Sequence, residues 1–587
     1  MAYLEAHRPV SSLGRTRSRP CSLKKIVGMK YNLRRLKTAL LVLGTVVVTL
    51  VSSAFVDDYF EVSKNLDIFS TLYREVNMYY VDSTDPGKLM RKGIDSMLES
   101  LDPYTNYIPE SDIEDYRFMT TGQYGGIGAL IRQHGDYIQI SDPYEGYPAQ
   151  LADLRAGDVI LEIDGRSAKG KKTDEVSRAL KGSPNTDVKL LIRREGEENP
   201  ILKTITRKEI KVKSVPYASR IGDNIGYIRL SSFTENASGE VGDALKRLKQ
   251  EGELKGVILD LRGNPGGLLN EAVNISNLFV ERGQEIVSTR GKIREMDKSY
   301  KAQNNPLDPQ LPVAVLVNSG SASASEIVSG SLQDLDRAVV VGQRTFGKGL
   351  VQTTRPLSYN AQLKITTAKY YIPSGRCIQA LDYSHRNEDG SVGKIADSLT
   401  HEFKTKAGRT VRDGGGILPD LIAESDKLSN IAQSLLSKNL IFDYATRYRR
   451  NHPDIPAARD FRLGDADFAD FEAFLKDKDY DYSTRSEKTL EELRKIADEE
   501  AYLTAVKTEY EALKAKLSHD KQNDLRKNKA EILELLQEEI ASRYYYQVGR
   551  IEAALQHDPQ LNEASNLLRD ATRYSGILKG TIRAEAK

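Results

Sequence analysis

The stretch VNSGSASASEIVSG, residues 317–330, follows the apolar run LPVAVLV, which ends at Val317. The run predicts a buried strand, and EIVSGSLQDL carries apolar residues at helical spacing. The small residues between them therefore predict a sharp turn from a strand into a helix. A serine on such a turn exposes its hydroxyl, and N–H groups at the helix start can stabilise an oxyanion. A Ser/Ala-rich loop without chemistry fits this stretch equally well.

A second informative stretch, RAVVVGQRTFGKGLVQ, covers residues 337–352 and places Lys348 between two glycines. A lysine acts as a general base only when burial lowers its pKa to about 7–8, which a glycine-flanked position against apolar strands favours. The alternative is an ordinary solvated lysine. None of the seven histidines stands in a Gly-rich or strand-end context, and neither a GxSxG elbow nor an HExxH helix occurs. The pattern thus disfavours a Ser–His–Asp triad.

The rest of the chain divides by its periodicity. Apolar, β-branched runs such as KGVILDLRG alternate with helical stretches such as SGEVGDALKRLKQEG, which predicts an α/β core with buried strands. Short strands precede this core, and densely charged helices follow it, one of them with a capping box at Thr484-x-x-Glu487. The predicted fold is mixed α/β and multidomain. Its predicted regions are a basic N-terminus with an apolar segment (1–56), N-terminal helices (57–118), a strand-rich domain (119–208), the α/β core (209–430) and a helical C-terminal region (431–587).

These motifs and their order resemble the C-terminal processing peptidases, also called tail-specific proteases, which form subfamily A of peptidase family S41. The resemblance rests on SASASE at 321–326, TFGKG at 345–349, LDLRGNPGG at 259–267 and GGGILPD at 414–420, and it extends over about residues 60–430. It implies a ClpP/crotonase-like serine protease core, and an endopeptidase that cuts protein substrates near their C-termini through a Ser–Lys dyad.

Carried over position by position, the resemblance implies Ser323 as nucleophile, Lys348 as general base and Gln352 as the residue that orients Lys348. It also implies an oxyanion hole made by the backbone N–H of Ala324 and that of Gly266, with Gly267 as the alternative second donor.

The strand-rich domain contains YGGIGALI at 124–131, whose glycines can turn successive N–H groups toward a carboxylate. The following residues, 142–170, resemble a PDZ domain, which binds an extended peptide tail along a sheet edge. This resemblance makes Gly126, Ile127, Gly128 and Ala129 the candidate carboxylate-binding loop. The expected partners are therefore proteins or peptides with free C-terminal tails. An ordinary β-turn is the alternative for the glycine-rich stretch.

Composition excludes other classes of partner. Lys and Arg number 85 and Asp and Glu 83, so the charge balance does not favour nucleic acid. The two cysteines, Cys21 and Cys377, belong to no metal-ligand pattern, and no metal or organic cofactor is implied. The charged C-terminal helices form either a solvated face or a surface for an adaptor or a second copy of the chain.

The N-terminus predicts export. Residues 38–55 are uncharged and apolar, with basic residues before them and Asp57 after them. This pattern is typical of a signal peptide or a membrane anchor, and its length lies between the two. Either interpretation places the protease in the periplasm or on the outer side of the inner membrane, whereas a buried core helix is the alternative. Met29 also begins a signal-like segment, so the true start stays open between Met1 and Met29.

Two other functions compete with a peptidase. Gly342-x-x-x-x-Gly347-Lys348 matches most of a P-loop, but Gly349 stands where Ser or Thr should hold magnesium. The second rival is a catalytically silent PDZ scaffold or chaperone, which the presence of Ser323, Lys348 and Gln352 disfavours.

Overall fold

A computed structural model of the protein describes residues 38, 59–222, 224–387, 389–424, 427–517 and 521–582. Apart from residue 38, the apolar run predicted to be a signal or an anchor lies outside these residues. Within the described part of the chain, no helix is both long and apolar enough to cross a bilayer. The chain divides into two compact units, with the boundary between Ser96 and Met97.

The first unit contains helix α1 (residues 59–79) and most of helix α2 (Pro86–Glu99), which continues past the boundary. The Tyr73 hydroxyl of α1 donates a hydrogen bond to the Pro86 carbonyl at 2.8 Å. The helical pattern of this stretch is therefore confirmed.

The second unit begins with β1 (Asn106–Ile108) and α3 (Ile113–Thr121), followed by a strand-rich small domain (residues 129–206). The elements from here to the core are β2 (Gln123–Gly126), β3 (Ala129–His134), β4 (Tyr137–Pro143), α4 (Pro148–Leu151), β5 (Val159–Ile163), β6 (Arg166–Ser167), α5 (Thr173–Leu180), β7 (Asp187–Arg193), β8 (Ile201–Thr206) and β9 (Lys208–Lys211). The strands of the small domain form one antiparallel sheet in the order β3-β4-β5-β7-β8, with β6 on β5, and the antiparallel pair β2–β9 joins it to the core.

The α/β core contains two larger sheets and two short hairpins. Its elements are β10 (Tyr217–Ile221), β11 (Ile225–Arg229), α6 (Ala237–Gln250), β12 (Gly256–Asp260), α7 (Leu269–Asn277), β13 (Glu285–Gly291), β14 (Lys298–Lys301), β15 (Val313–Val317), α8 (Ala324–Asp334), β16 (Val339–Gly342), β17 (Leu350–Pro356), β18 (Gln362–Tyr371), β19 (Leu381–Arg386), β20 (Val392–Lys394), β21 (Glu402–Lys404), β22 (Thr410–Arg412) and β23 (Leu421–Ile422). The main sheet has the order β10-β11-β12-β15-β16-β23 and is parallel except for β10. The second sheet, β1-β18-β13-β14 with β17 on β18, is antiparallel.

The C-terminal helical region follows, from residue 430 to residue 578. Its helices are α9 (Asn430–Ser437), α10 (Leu440–Asn451), α11 (Asp465–Leu475), α12 (Arg485–Glu499), α13 (Leu503–Leu517), α14 (Lys521–Lys527), α15 (Lys529–Ala554), α16 (Pro559–Arg569) and α17 (Ala571–Leu578). The predicted capping box is confirmed, since the Thr484 hydroxyl accepts from the Glu487 N–H at 3.1 Å and the Glu487 carboxylate accepts from the Thr484 N–H at 2.7 Å. Non-helical backbone at Tyr545 and Tyr546 kinks α15.

Helices cover both faces of the main sheet, which explains why its strands are almost continuously apolar. In β15, Val313, Val315 and Val317 face a cluster that contains residues of α6, α7 and α8. Ala314 and Leu316 of the same strand face the opposite side, where buried residues of α16 and α17 pack. The last helices of the described chain therefore complete the core, although periodicity groups them with the separate C-terminal region.

The small domain docks on the C-terminal helical region through stacked arginines. The guanidinium of Arg132 lies 3.4 Å from the ring centroid of Phe442 in α10, and that of Arg543 in α15 lies 4.2 Å from the same ring. Asp443 also pairs with Arg132 at 3.8 Å. Because Phe442 is buried, these cation–π contacts are largely shielded from water. A cation–π contact shielded in this way contributes about 2 kcal/mol.

We expect Phe442→Leu to loosen this docking, because leucine keeps an apolar side chain but removes the ring. Spin labels on the small domain and on the helical region should then show a broader distance distribution. Phe474→Leu is the matched control, since Phe474 contacts Arg447 and Lys478 within the helical region alone. Equal widths in both variants would contradict the proposed role of the stack.

Candidate active site

Ser323 lies on the turn between β15 and α8, as the sequence predicts, and serves as the N-cap of α8. Its backbone has φ 56° and ψ −113°, a conformation that costs a non-glycine residue about 1–3 kcal/mol. Strained backbone of this kind persists only where the surroundings hold it. Ser323 Oγ makes no hydrogen bond to any described residue, so the hydroxyl is available to a substrate.

Lys348 lies half-buried on the loop between β16 and β17. Its Nζ is 4.1 Å from the ring centroid of Tyr104. Burial, and to a smaller extent the charge of Lys364, lowers the pKa of Lys348 to about 8, against the opposing effect of Asp102 and Glu326. The segment after Lys348 forms strand β17, where a P-loop would open a helix.

One buried carboxylate, that of Glu326, connects the serine and lysine segments. Its Oε2 accepts from the backbone N–H of Ser323 at 2.8 Å and from that of Lys348 at 2.9 Å. Its Oε1 accepts from the Gly347 N–H at 2.8 Å and from the Thr345 hydroxyl at 2.5 Å. Burial raises the pKa of Glu326 to about 7, although these four hydrogen bonds oppose the shift.

Tyr370 of β18 makes a second connection between the same two segments. Its hydroxyl lies 2.7 Å from the carbonyl oxygen of Lys348 and 3.2 Å from that of Ser323, and it can donate to either. The ring is fully buried, which raises the pKa of the phenol well above its usual value. Tyr370 therefore stays a neutral donor.

The loop with Gly266 and Gly267 lies directly against Ser323. A Cβ on Gly266 would come within 2.9 Å of the Ala324 nitrogen and of the Ser323 Cβ, so only glycine fits there. The Gly266 N–H, which the sequence analysis places in the oxyanion hole, donates to Asn264 Oδ1 at 2.9 Å. Neither the Gly267 N–H nor the Ala324 N–H donates to a described residue.

Ser323, Ala324, Lys348 and Gln352 line one cavity of 630 Å³ together with both glycines, Gly266 and Gly267. The side-chain amide of Gln352 donates to the Thr366 hydroxyl at 3.1 Å and makes no hydrogen bond to Lys348. Apolar residues form much of the remaining wall, among them Met119, Leu269, Ile327, Leu350 and Val351.

The candidate carboxylate-binding residues Gly126 to Ala129 do not line this cavity. Gly126 ends β2 and Ala129 begins β3, and the two residues between them form the connecting turn, in which Gly128 has φ +75°. The carbonyls of Ile127 and Gly128 accept from Ala149 and Tyr144, whereas their N–H groups donate to no described residue. Among the described strands, β3 pairs only with β4, and its other edge is open beside α5.

Comparison with known proteins matches three families along the chain. Residues 224–383 match peptidase family S41, residues 139–194 match a PDZ domain, and residues 431–568 match a C-terminal helical domain described as that of a probable PDZ-protease. The predicted fold class, mixed α/β with an inserted PDZ domain, a protease core and a helical C-terminal region, is confirmed.

A carboxy-terminal-processing protease from Bartonella bacilliformis is 40% identical to the chain over 321 residues, which are 54% of this chain and 73% of that protein. The chain belongs to peptidase family S41. A Staphylococcus aureus protein named "Probable CtpA-like serine protease" is 36% identical over 362 residues, 60% of this S41 peptidase and 71% of that protein. Among solved structures, a photosystem II D1 C-terminal processing protease is 28% identical and covers 61% of this chain and 92% of its own, with a TM-score of 0.32.

The S41 peptidase also uses residues that sequence reasoning missed. Glu326 and Tyr370 hold the Ser323 and Lys348 segments together, and Tyr104 contacts Lys348. A signal for Glu326 is present, since Ser323-x-x-Glu326 has the spacing of a capping box. No comparable local signal marks Tyr370 or Tyr104.

We expect Glu326→Gln to lower both activity and stability, because the amide nitrogen that replaces one carboxylate oxygen cannot accept from two of its four donors. A buried donor left without a partner costs about 1–3 kcal/mol, which urea unfolding would measure. Peptidase activity should fall by about tenfold or more as the two segments separate.

Glu271→Gln is the control for this substitution. The Glu271 carboxylate accepts one backbone hydrogen bond, from Ser238 at 2.7 Å, which glutamine can also accept. Equal stability and activity in the two variants would contradict the role given to Glu326.

Proposed function

We propose that this S41 peptidase cuts protein substrates near their C-termini, with Ser323 as nucleophile, Lys348 as general base, and the PDZ domain as the receptor for the substrate tail. The observation that carries the proposal is the buried Glu326 carboxylate, which hydrogen-bonds the backbone N–H of both Ser323 and Lys348. A serine and a desolvated lysine held at one cavity are the parts that a Ser–Lys mechanism needs.

Proton transfer uses the neutral form of Lys348. With its pKa lowered to about 8, about a tenth of the amine is neutral at pH 7, far more than for an ordinary lysine. The amine takes the proton from Ser323 Oγ as this oxygen attacks the scissile carbonyl, and water then hydrolyses the acyl-enzyme. Gln352 is suited to orient Lys348, because Thr366 holds its Nε2 and its Oε1 has no partner among the described residues.

The oxyanion forms where two backbone N–H groups converge. We assign one donor to Ala324, whose N–H stands at the positive end of α8. For the second donor, Asn264 already occupies the N–H of Gly266, whereas that of Gly267 has no acceptor among the described residues. This difference favours Gly267 over Gly266.

The tail is captured by the loop from Gly126 to Ala129 and by the open edge of β3. Two N–H groups without acceptors among the described residues, those of Ile127 and Gly128, suit a terminal carboxylate. The open edge of β3 can accept the preceding residues of the tail as an added strand.

The proposal includes export, on the basic flank and apolar run of residues 30–57. The protease would then act outside the cytoplasm, in the periplasm or anchored to the inner membrane. Fractionation of cells that produce the chain would test this, because recovery in the cytosolic fraction alone contradicts it.

The central test uses the purified full chain and a folded substrate protein with an unstructured apolar tail. We expect trimming of the tail by the unmodified protein and by Ser319→Ala, a neighbouring exposed serine, but not by Ser323→Ala or Lys348→Ala. The rate of cleavage should fall by at least about tenfold when the same substrate has an amidated C-terminus, because charge-assisted hydrogen bonds to the carboxylate are lost.

Each outcome of this test has a distinct meaning, with products identified by mass spectrometry. Cleavage by Ser323→Ala would refute the dyad, and equal rates on the two tails would refute carboxylate capture. Absence of cleavage by the unmodified chain would favour a silent PDZ scaffold.

We expect kcat/KM to rise with pH through about 8, because only neutral Lys348 accepts the proton. Lys364→Gln removes a positive charge that lowers the pKa of Lys348, so this rise should move to higher pH. Lys369→Gln changes an exposed lysine of the same strand, β18, and should leave the profile in place. A profile that does not move in Lys364→Gln, or that moves to lower pH, contradicts Lys348 as the base.

A further inference from the structure

Asp558, immediately before α16, reaches from the C-terminal helical region into the catalytic core. Its carboxylate accepts from Arg262 Nη1 at 3.0 Å and from Arg262 Nη2 at 2.6 Å. It also caps α16 by accepting from the Leu561 N–H at 2.9 Å. Gln560 adds a third acceptor for Arg262, at 3.0 Å.

Arg262 lies at the start of the loop that carries Gly266 and Gly267. Its other edge binds Asp260, the last residue of β12, with Nε to Oδ1 at 3.0 Å and Nη2 to Oδ2 at 2.7 Å. Arg262 therefore lies between two carboxylates, one from the sheet and one from the start of α16, and its side chain is 13% exposed.

The same loop is bonded to the nucleophile segment on its other side. The Asn264 carbonyl accepts from the Ala322 N–H at 3.0 Å and from the Ser325 hydroxyl at 2.9 Å. The Asn264 side chain bridges the Gly266 N–H and the Leu230 carbonyl. A displacement of Arg262 is thus transmitted along a few residues of backbone to the glycines beside Ser323.

Asp260 alone does not balance the charge of Arg262. Arg229 also pairs with Asp260 at 3.0 Å, so without Asp558 two guanidinium groups share a single buried carboxylate. Asp558 supplies the second negative charge from a rigid position, because Leu561, Ala564 and Leu567 of α16 are buried against the main sheet.

We infer that Asp558 is a positioning residue for catalysis, through which the C-terminal helical domain holds the Arg262 loop in register with Ser323. The inference rests on the proposed oxyanion hole at Ala324 and Gly267. Loss of the Asp558 carboxylate shifts the glycine N–H groups from the place where the oxyanion develops, which lowers transition-state stabilisation without changing how the tail binds.

The test compares Asp558→Ser with Asp570→Ser in the full chain. Serine keeps an N-cap acceptor at both positions but removes the carboxylate. Asp570 is the matched control, since it caps α17 by accepting from the Arg573 N–H at 2.9 Å and belongs to no contact with Arg262. The probe is a quenched fluorescent peptide with an apolar tail and a free C-terminal carboxylate.

We expect Asp558→Ser to lower kcat by about tenfold or more with KM nearly unchanged, and Asp570→Ser to keep both constants. Thermal midpoints of the two variants should be similar. Unchanged kcat in Asp558→Ser would overturn the inference. A lower kcat together with a raised KM and a lowered thermal midpoint would also overturn it, because that combination indicates general destabilisation. Ser323→Ala is assayed alongside, because residual cleavage in that variant would refute the dyad. The role of Asp558 is tested separately, by the difference in kcat between Asp558→Ser and Asp570→Ser.

Discussion

The candidate active site depends on a carboxylate that is fully shielded from solvent. Glu326 is fully buried, yet its two oxygens accept from four donors that belong to the serine turn and to the lysine loop. A buried acceptor with this many donors fixes two segments that are separated along the chain by a helix and a strand. The strained φ of Ser323 is sustained by this arrangement, because its N–H is one of the four donors.

The main sheet explains how the site stays rigid. Neighbouring parallel strands end at the same edge of a sheet, so the residues that follow β12, β15 and β16 lie close together. Two of these ends carry the glycine loop and Ser323, and the third leads to Lys348. Helices α6 to α8 stabilise the sheet from one side and α16 and α17 from the other. Asp558 and Gln560 make polar contacts between this second layer and the glycine loop.

The sequence was informative where chemistry is local. The strand ends around Ser323 and Lys348 could be recognised because each motif is short and lies beside an apolar run. The Ser323-x-x-Glu326 spacing was also readable as a cap, but its bonds to Thr345 and Gly347 were not, since they join positions distant in the chain. The same reason hides the stacking of Arg132 on Phe442. Helical periodicity shows that α16 has an apolar face but does not reveal that this face covers the protease sheet.

The position of α16 and α17 has a consequence for how the molecule is made. During synthesis, β15 and Ser323 leave the ribosome long before the residues that shield the second face of the main sheet. Until those helices arrive, the apolar side chains of Ala314, Leu316 and Val341 lack their cover, and Arg262 lacks its second carboxylate. Until α16 and α17 have been synthesised, the nascent protease therefore lacks both the packing on one face of its main sheet and the second ion pair of Arg262.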